Sequence, residues 1–518
     1  MADDKGRVFL VGAGPGAPDL ITVRGAEMIR TAGVIVYDQL VSPATLSLAA
    51  AGAELIFAGK KGGGASAKQA EINRILIEQA KLGRRVVRLK GGDPFIFGRG
   101  GEEAEALRAA GIDFEIVPGV TSAIAAPAFA GIPLTHREHG SFVTILTGHL
   151  DPAKAGAEAI PWADLASASN GRGTIVMLMG TARLRDNLNH LIKGGIAPVT
   201  PAAAIQWGTT ADQRSVIATA ATLADEVERD GLGAPAVIVV GECAALGHDL
   251  AWFERMPLHG RRILVTRAAA NGSAFVSKLR AMGAEAIAVP VIEVAPPSSY
   301  ALLDSAIARL DSFDWIIFTS VKGVDAFVER LRTLSRDIRD LGSASLAAIG
   351  PATAARLDHF ALKVSAMPVE YRAERLIDAI TPARIKDAHI LIPRAEVARE
   401  ILPVMLLEAR AREVVIAPAY RTVMPSGGTI EHVQRLIDTG QIDLVTFTSP
   451  STVNHFVEVA GPAATGLKAA VIGPITGEAA RARGFQIAVE AETYTIGGLA
   501  AAIQSYYIGG MTTPGKLP

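Results

Sequence analysis

The chain has 518 residues, 49% apolar and 20% charged, with 52 Gly and 28 Pro. That lies below the ~25–30% Gly plus Pro of low-complexity chains and excludes disorder and collagen-like repeats. Its 51 basic and 52 acidic residues leave a net charge of −1, so neither a nucleic-acid footprint nor a polybasic membrane patch is expected.

Length suggests roughly three or four domains. Cys243 is the only cysteine, which rules out an internal disulfide and fits a reducing compartment. The acidic start Met1-Ala2-Asp3-Asp4-Lys5 does not read as a secretory leader. No apolar run approaches ~18 residues, so no membrane span and a cytoplasmic location are expected. His136 and His139 are the closest pair of scattered histidines, without zinc-type partners in sequence, and no metal site is expected.

In chain order, apolar runs predict strands near Arg7–Val11, Val34–Tyr37, Glu54–Phe57, Arg85–Leu89 and Phe114–Val117, with helices over Gln69–Lys81 and Glu102–Ala110 between them. A second set follows at Ser141–Thr147, Thr174–Met179, Ala202–Gln206, Ser215–Ala218 and Val237–Val240. Continuous apolar runs predict parallel sheets covered on both faces. Gly131-Ile132-Pro133 reads as a hinge, giving α/β lobes at about 7–133 and 134–246 with a cleft between them. The pattern breaks over 251–260, a linker, and restarts at Arg261–Arg267. The remainder, 261–510, contains a duplication. Phe318-Thr319-Ser320 with Val324 and Phe327 matches Phe447-Thr448-Ser449 with Val453 and Phe456; Ile349-Gly350-Pro351 matches Ile472-Gly473-Pro474. Two copies indicate two similar lobes rather than a solenoid.

Gly12-Ala13-Gly14-Pro15-Gly16-Ala17 follows a strand, and Asp38 ends the next one, 24 residues past Gly14. Taken alone this is a dinucleotide fingerprint, and an NAD-dependent oxidoreductase is one reading. Against it, Pro15 removes an amide from any pyrophosphate cradle and Pro18 hinders a helix opening at Gly14. A plain structural turn fits equally well. The stretch Arg88–Glu103 is more specific: Gly91-Gly92 permits close backbone approach, and Asp93, locked by Pro94, offers an acceptor or caps a turn.

These motifs, with Gly59-Lys60-Lys61, Pro118-Gly119-Val120-Thr121-Ser122, Gly131–Arg137 and Pro235–Glu242, resemble uroporphyrinogen-III C-methyltransferase over about Arg7–Leu246. The resemblance implies a tetrapyrrole methylase fold of two α/β lobes, S-adenosyl-L-methionine (SAM) as cofactor, and methylation of uroporphyrinogen III at C2 and C7 to precorrin-2. The implied SAM contacts are Pro15, Gly91, Gly92, Asp93, Ile96, Thr121, Ser122, Met179, Gly208 and Ala236. Asp38 matches the proton acceptor and Lys60 its basic partner; on residue type alone, Asp38 is equally a strand-end cap and Lys60 a surface lysine. Arg137 is a candidate for the acidic rim of the substrate. Methylases of this fold commonly dimerise, so a homodimer through this half is expected.

The restart at Arg261–Arg267, the paired Phe-Thr-Ser loops, the paired Ile-Gly-Pro turns and Ala419-Tyr420-Arg421-Thr422 resemble uroporphyrinogen-III synthase over about Gly260–Ile503. The Pro-Arg-Gly stretch of that family reads Pro393-Arg394-Ala395 here. The resemblance implies a two-lobed α/β fold, one lobe from 261–291 and 423–503 and the other from 295–418, that cyclises hydroxymethylbilane to uroporphyrinogen III. Thr319, Ser320, Thr448, Ser449 and Thr476 are candidate donors to substrate carboxylates; each taken singly reads first as a helix cap, and the repeated pairing favours a functional role. Arg267 is a candidate carboxylate contact. Tyr420 is a candidate proton donor, or a packed core tyrosine. The expectation is an α/β fusion enzyme whose second half makes the substrate of its first, toward siroheme or cobalamin. The alternative keeps the second half as a non-catalytic tetrapyrrole-binding module.

Overall fold

The computed structural model describes residues 6–50, 52–59, 69–149, 160–170, 172–266, 269–289, 291, 293–368, 375–398, 400–423 and 428–509. Lys60 and Arg267, singled out above, lie outside them. The chain divides into two compact units, Met1–Pro290 with Ser426–Pro518, and Val291–Pro425.

Among the described residues the larger unit holds three five-stranded sheets. The first contains β1 (Arg7–Gly12), β2 (Val34–Tyr37), β3 (Glu54–Phe57), β4 (Arg85–Lys90) and β5 (Phe114–Val117), in the order β3-β2-β4-β1-β5. Every pairing is parallel. Along β1, Val8 and Leu10 pack with Leu76 and Leu107 on one face, whereas Phe9 and Val11 pack with Met28 and Ile29 on the other. Helices cover both faces, which is why these strands read as unbroken apolar runs.

The second sheet contains β6 (Phe142–Thr147), β7 (Gly173–Leu178), β8 (Pro201–Gln206), β9 (Arg214–Thr219) and β10 (Ala236–Val240), in the order β6-β7-β10-β8-β9. Here the expectation of a parallel sheet fails. Only β6 and β7 run parallel; the other three pairings are antiparallel. Residues 207–213 join β8 to β9 directly, too short a link for the crossover of roughly a dozen residues that parallel strands need.

The third sheet contains β11 (Arg262–Thr266) and β12 (Glu285–Val289). It is completed, after the intervening unit, by β18 (Leu444–Phe447), β19 (Lys468–Val471) and β20 (Gln486–Glu490), all parallel in the order β12-β11-β18-β19-β20. The smaller unit carries β13 (Glu293–Ala295), β14 (Trp315–Phe318), β15 (Ser345–Ala348), β16 (His389–Ala395) and β17 (Glu413–Val423), in the order β13-β17-β16-β14-β15. Only β13 is antiparallel there, pairing with the last residues of β17.

The sequence duplication is visible inside each unit separately. Phe318 ends β14 and meets Phe327 edge-on at 5.5 Å; Phe447 ends β18 and meets Phe456 edge-on at 5.7 Å. Among the described residues no helix is long and apolar enough to cross a membrane.

In the smaller unit, Glu413 accepts from Arg309 at 2.7 Å and sits 3.1 Å from His389 Nδ1. The Arg309 guanidinium, then His389, hold its carboxyl at about 2. A depressed carboxyl stabilises the fold above its unfolded pKa of about 4.3 and loses that contribution as pH falls toward 2. Glu413→Gln is therefore expected to flatten the acid limb of stability between those pH values. The effect should stay below about 1 kcal/mol because the pair is solvent-screened; urea midpoints at pH 3 and pH 6 check it.

Candidate active site

Because the first sheet is parallel, the loops after β1, β4 and β5 gather at one edge, where α/β folds place ligands. Glycine lets them touch. A Cβ on Gly12 would lie 2.5 Å from the Gly119 Cα, and one on Gly119 would lie 2.3 Å from the Gly92 carbonyl oxygen. The loops are sewn together by their own amides. Ala13 donates to the Lys90 carbonyl at 2.7 Å, Gly14 to the Gly92 carbonyl at 3.2 Å, and Gly92 back to the Gly14 carbonyl at 2.7 Å. Ala17 donates to Thr209 Oγ1 at 3.0 Å. The helix beyond does not open on this turn. A short 3-10 turn spans Pro18–Leu20, and the helix Val23–Arg30 starts only after Thr22, whose hydroxyl accepts from Gly25 N. A pyrophosphate would need those amides and that helix end free.

Asp93 is part of the seam. Its Oδ1 accepts from Phe95 N at 2.8 Å, closing an Asx turn, and its Oδ2 accepts from Gly119 N at 2.9 Å. Thr121 caps the helix Ser122–Phe129, accepting from Ala123 N at 3.3 Å.

Beside this seam lies a cavity of about 1090 Å³. Pro15, Gly91, Gly92, Ile96, Ser122, Met179, Gly208 and Ala236 line it, whereas Asp93 and Thr121 do not. Phe97, Met179, Trp207 and Thr209 also line it, each with positive φ (54°, 57°, 49° and 73°). Non-glycine residues adopt that region at a cost and cluster at ligand clamps. Phe97 falls inside the Arg88–Glu103 stretch, but no sequence signal marked Trp207 or Thr209. Gly208 is needed sterically: its Cβ would lie 2.3 Å from that of Ala126.

Asp38 follows β2, accepts from Leu40 N at 3.2 Å, and lies 3.6 Å from Arg88 Nη2. Arg88 belongs to a buried cluster that the sequence reading missed. Glu103 is fully buried; its Oε1 receives Arg88 Nε at 3.2 Å, Lys90 Nζ at 2.9 Å and Gln69 Nε2 at 3.1 Å. Burial, then the neighbouring Arg88, draw the Lys90 ammonium below its usual range. The available signal was two cations, Arg88 and Lys90, alternating with Val87 and Leu89 in a strand that reads as a buried apolar run. Arg137 is exposed and does not line the cavity. Next to it, His136, Glu138 and His139 bring possible ligand atoms within 4.8 Å of one another, a grouping the sequence reading did not foresee. One ring nitrogen of His136 already accepts from Glu138 N.

In the C-terminal part, the paired serines cap helices. Ser320 Oγ accepts from Gly323 N at 3.0 Å and Ser449 Oγ from Thr452 N at 3.4 Å. Ser320 also lies 3.1 Å from the Tyr420 hydroxyl, on β17. Thr319 and Thr448 are half-buried beside those caps, and Thr476 is buried in the first turn of the helix Pro474–Ala482.

Two family models match the chain: Tetrapyrrole (Corrin/Porphyrin) Methylases over residues 7–224 and Uroporphyrinogen-III synthase HemD over 273–501. A porphyrin biosynthesis protein HemD from Ruminiclostridium josui is 38% identical over 479 residues, covering 92% of this chain and 94% of its own. The chain belongs to this HemD family. Its first half is also 51% identical to a S-adenosyl-L-methionine-dependent uroporphyrinogen III methyltransferase of Methanosarcina barkeri, covering 49% of this chain and 98% of that one. Among solved structures, uroporphyrin-III C-methyltransferase of Thermus thermophilus, complexed with S-adenosylhomocysteine, is 36% identical with a TM-score of 0.40, covering 46% of this chain and all of that one.

Proposed function

We propose that the chain is a bifunctional tetrapyrrole biosynthesis enzyme. Residues 1–250 form a SAM-dependent uroporphyrinogen-III C-methyltransferase, 251–260 a linker, and 261–510 a uroporphyrinogen-III synthase. Membership of the HemD family supports both activities. The observation that carries the cofactor assignment is the consumption of the Gly-rich amides by one another. A sulfonium nucleoside needs a shaped, mostly apolar slot and no phosphate clamp, and the residues around the cavity fit that need. Pro15, the Gly91-Gly92 backbone, Ile96, Ser122, Met179, Gly208 and Ala236 hold the cofactor, and Asp93 and Thr121 fix the loops that carry them. When bound, SAM supplies an electrophilic methyl group.

The remaining work is positioning and removal of one proton. Asp38, held beside Arg88, accepts the proton that leaves the methylated macrocycle, and Lys60 assists by binding a substrate carboxylate. Arg137 and Arg267 serve as further carboxylate contacts. In the synthase half, Thr319, Ser320, Thr448, Ser449 and Thr476 donate to the carboxylates of the bilane, and Tyr420 protonates the departing hydroxyl, its own hydroxyl oriented by Ser320. Tyr420→Phe is expected to slow cyclisation about 100-fold without abolishing it, the lower end of what a single general acid contributes; a coupled synthase assay checks this. The enzyme works in the cytoplasm as a homodimer through its methyltransferase half. Calorimetry with SAM and with NAD tests the cofactor assignment: SAM binds and NAD does not, and the reverse would end it.

A further inference from the structure

The cavity is not closed by the first 250 residues alone. Its wall includes Ser277, Arg280 and the turn at 281–284 leading into β12, together with Leu436 and Gln441, all from the C-terminal part of the same compact unit. Side chains tie this wall in place. Arg262 reaches Asp212 with one guanidinium nitrogen and Glu285 with another, the latter at 2.9 Å. His259 Nε2 lies 3.2 Å from the Gln213 carbonyl, and its ring packs edge-on to Phe253 at 4.9 Å.

Arg262, Arg280 and His149 are the basic side chains that line the cavity among the described residues. Arg262 is neutralised by its two carboxylates. Arg280 is not: it donates from Nη2 to the Ala286 carbonyl at 3.0 Å, and among the described residues no carboxylate lies within ion-pair distance. Burial draws its guanidinium below the usual range, opposed through space by Asp19 and Glu285. Asp19 and Glu285 also line the cavity but make no ion pair with Arg280. A guanidinium half-withdrawn from water with no carboxylate in contact is costly, and an anion in the cavity relieves that cost with charge-assisted, geometrically matched hydrogen bonds.

We propose that Arg280 forms a carboxylate-binding subsite of the methyltransferase cavity, so that the C-terminal part of the chain supplies a substrate-orienting residue to the reaction of the N-terminal part. The ligand class is a macrocyclic polycarboxylate. This inference rests on the methyltransferase reading above, and its test keeps the two apart.

The experiment uses the full chain carrying Arg280→Gln or Arg280→Lys. Uroporphyrin III, the stable oxidised macrocycle, is titrated by fluorescence, and methyl transfer to uroporphyrinogen III is assayed for KM and kcat. Synthase activity of the same chain reports folding of the lobe that carries Arg280. Arg280→Gln is expected to weaken uroporphyrin binding and raise the uroporphyrinogen KM about 10-fold or more, as for a lost charge-assisted bond. The SAM KM, kcat and synthase activity should hold. Arg280→Lys, which keeps charge but loses the fork, should fall between. Unchanged porphyrin affinity in Arg280→Gln would overturn the subsite. So would an equal loss of SAM binding and synthase activity in both variants, which marks a purely structural arginine. A wild-type chain that binds uroporphyrin through Arg280 but transfers no methyl group would instead overturn the methyltransferase reading and leave the subsite standing.

Discussion

Gly119→Ala is expected to weaken SAM binding sharply while leaving the synthase activity of the same chain intact. The added Cβ would sit 2.3 Å from the Gly92 carbonyl oxygen and 2.7 Å from the Gly12 Cα. Neither atom belongs to a side chain that can swing away. The Gly92 peptide is pinned by its bond to the Gly14 carbonyl, and Gly119 itself by Asp93. The seam must therefore open. Overpacking costs about 1–3 kcal/mol, and the displaced segment includes Gly91 and Gly92, which line the cavity. A fall in SAM affinity of about 10- to 100-fold follows if that cost appears in binding, at about 1.4 kcal/mol per tenfold. Calorimetry on the variant reads it directly, with the synthase assay as the folding check; wild-type affinity in Gly119→Ala would mean that the three loops do not need their close approach.

Glu103→Gln carries the second large effect. The substitution keeps shape but takes from Lys90 its bonded carboxylate and leaves Arg88 with Asp38 alone, at 3.6 Å; removing one partner of a buried ion pair typically costs about 3–5 kcal/mol. The first lobe should lose stability by that order, and Asp38, beside Arg88, should lose its fixed position. The pH dependence gives a sign to check. Lys90 is already drawn below its usual range by burial and by Arg88, and removing Glu103 draws it lower still. Between the lowered folded value and the unfolded value near about 10.4, the unfolded chain binds more protons, so stability rises with pH. The deficit of Glu103→Gln relative to wild type should therefore narrow between pH 7 and pH 9.5. Hydrogen exchange in β1 and β4 measures it locally; a deficit that widens with pH would show that Lys90 is not the group left uncompensated.

The strands of both halves were legible because most are buried on two faces and so read as continuous apolar runs. Their direction was not. An apolar run carries no polarity, and only the seven-residue link 207–213 betrays the antiparallel β8–β9 pair. The Gly-rich loops stood out by composition, but Ala13, Gly14 and Ala17 donate to Lys90, Gly92 and Thr209, far along the chain, so the seam was invisible. Asp93 shows the same limit: its residue type announced an acceptor, and only the fold reveals that both oxygens face backbone amides of its own loops. Ser320 and Ser449 were recognisable as caps from strand-to-helix position alone. Arg280 was silent, because nothing in 261–290 says which cavity its helix will border.

One measurement tests the whole most directly: the product formed when hydroxymethylbilane and SAM are given to the intact chain with no other enzyme. A dimethylated macrocycle of the type III isomer is expected, with uroporphyrinogen III as its precursor when SAM is withheld. Type I isomer alone, or a type III product that never gains a methyl group, would contradict the pairing of two consecutive activities in one polypeptide.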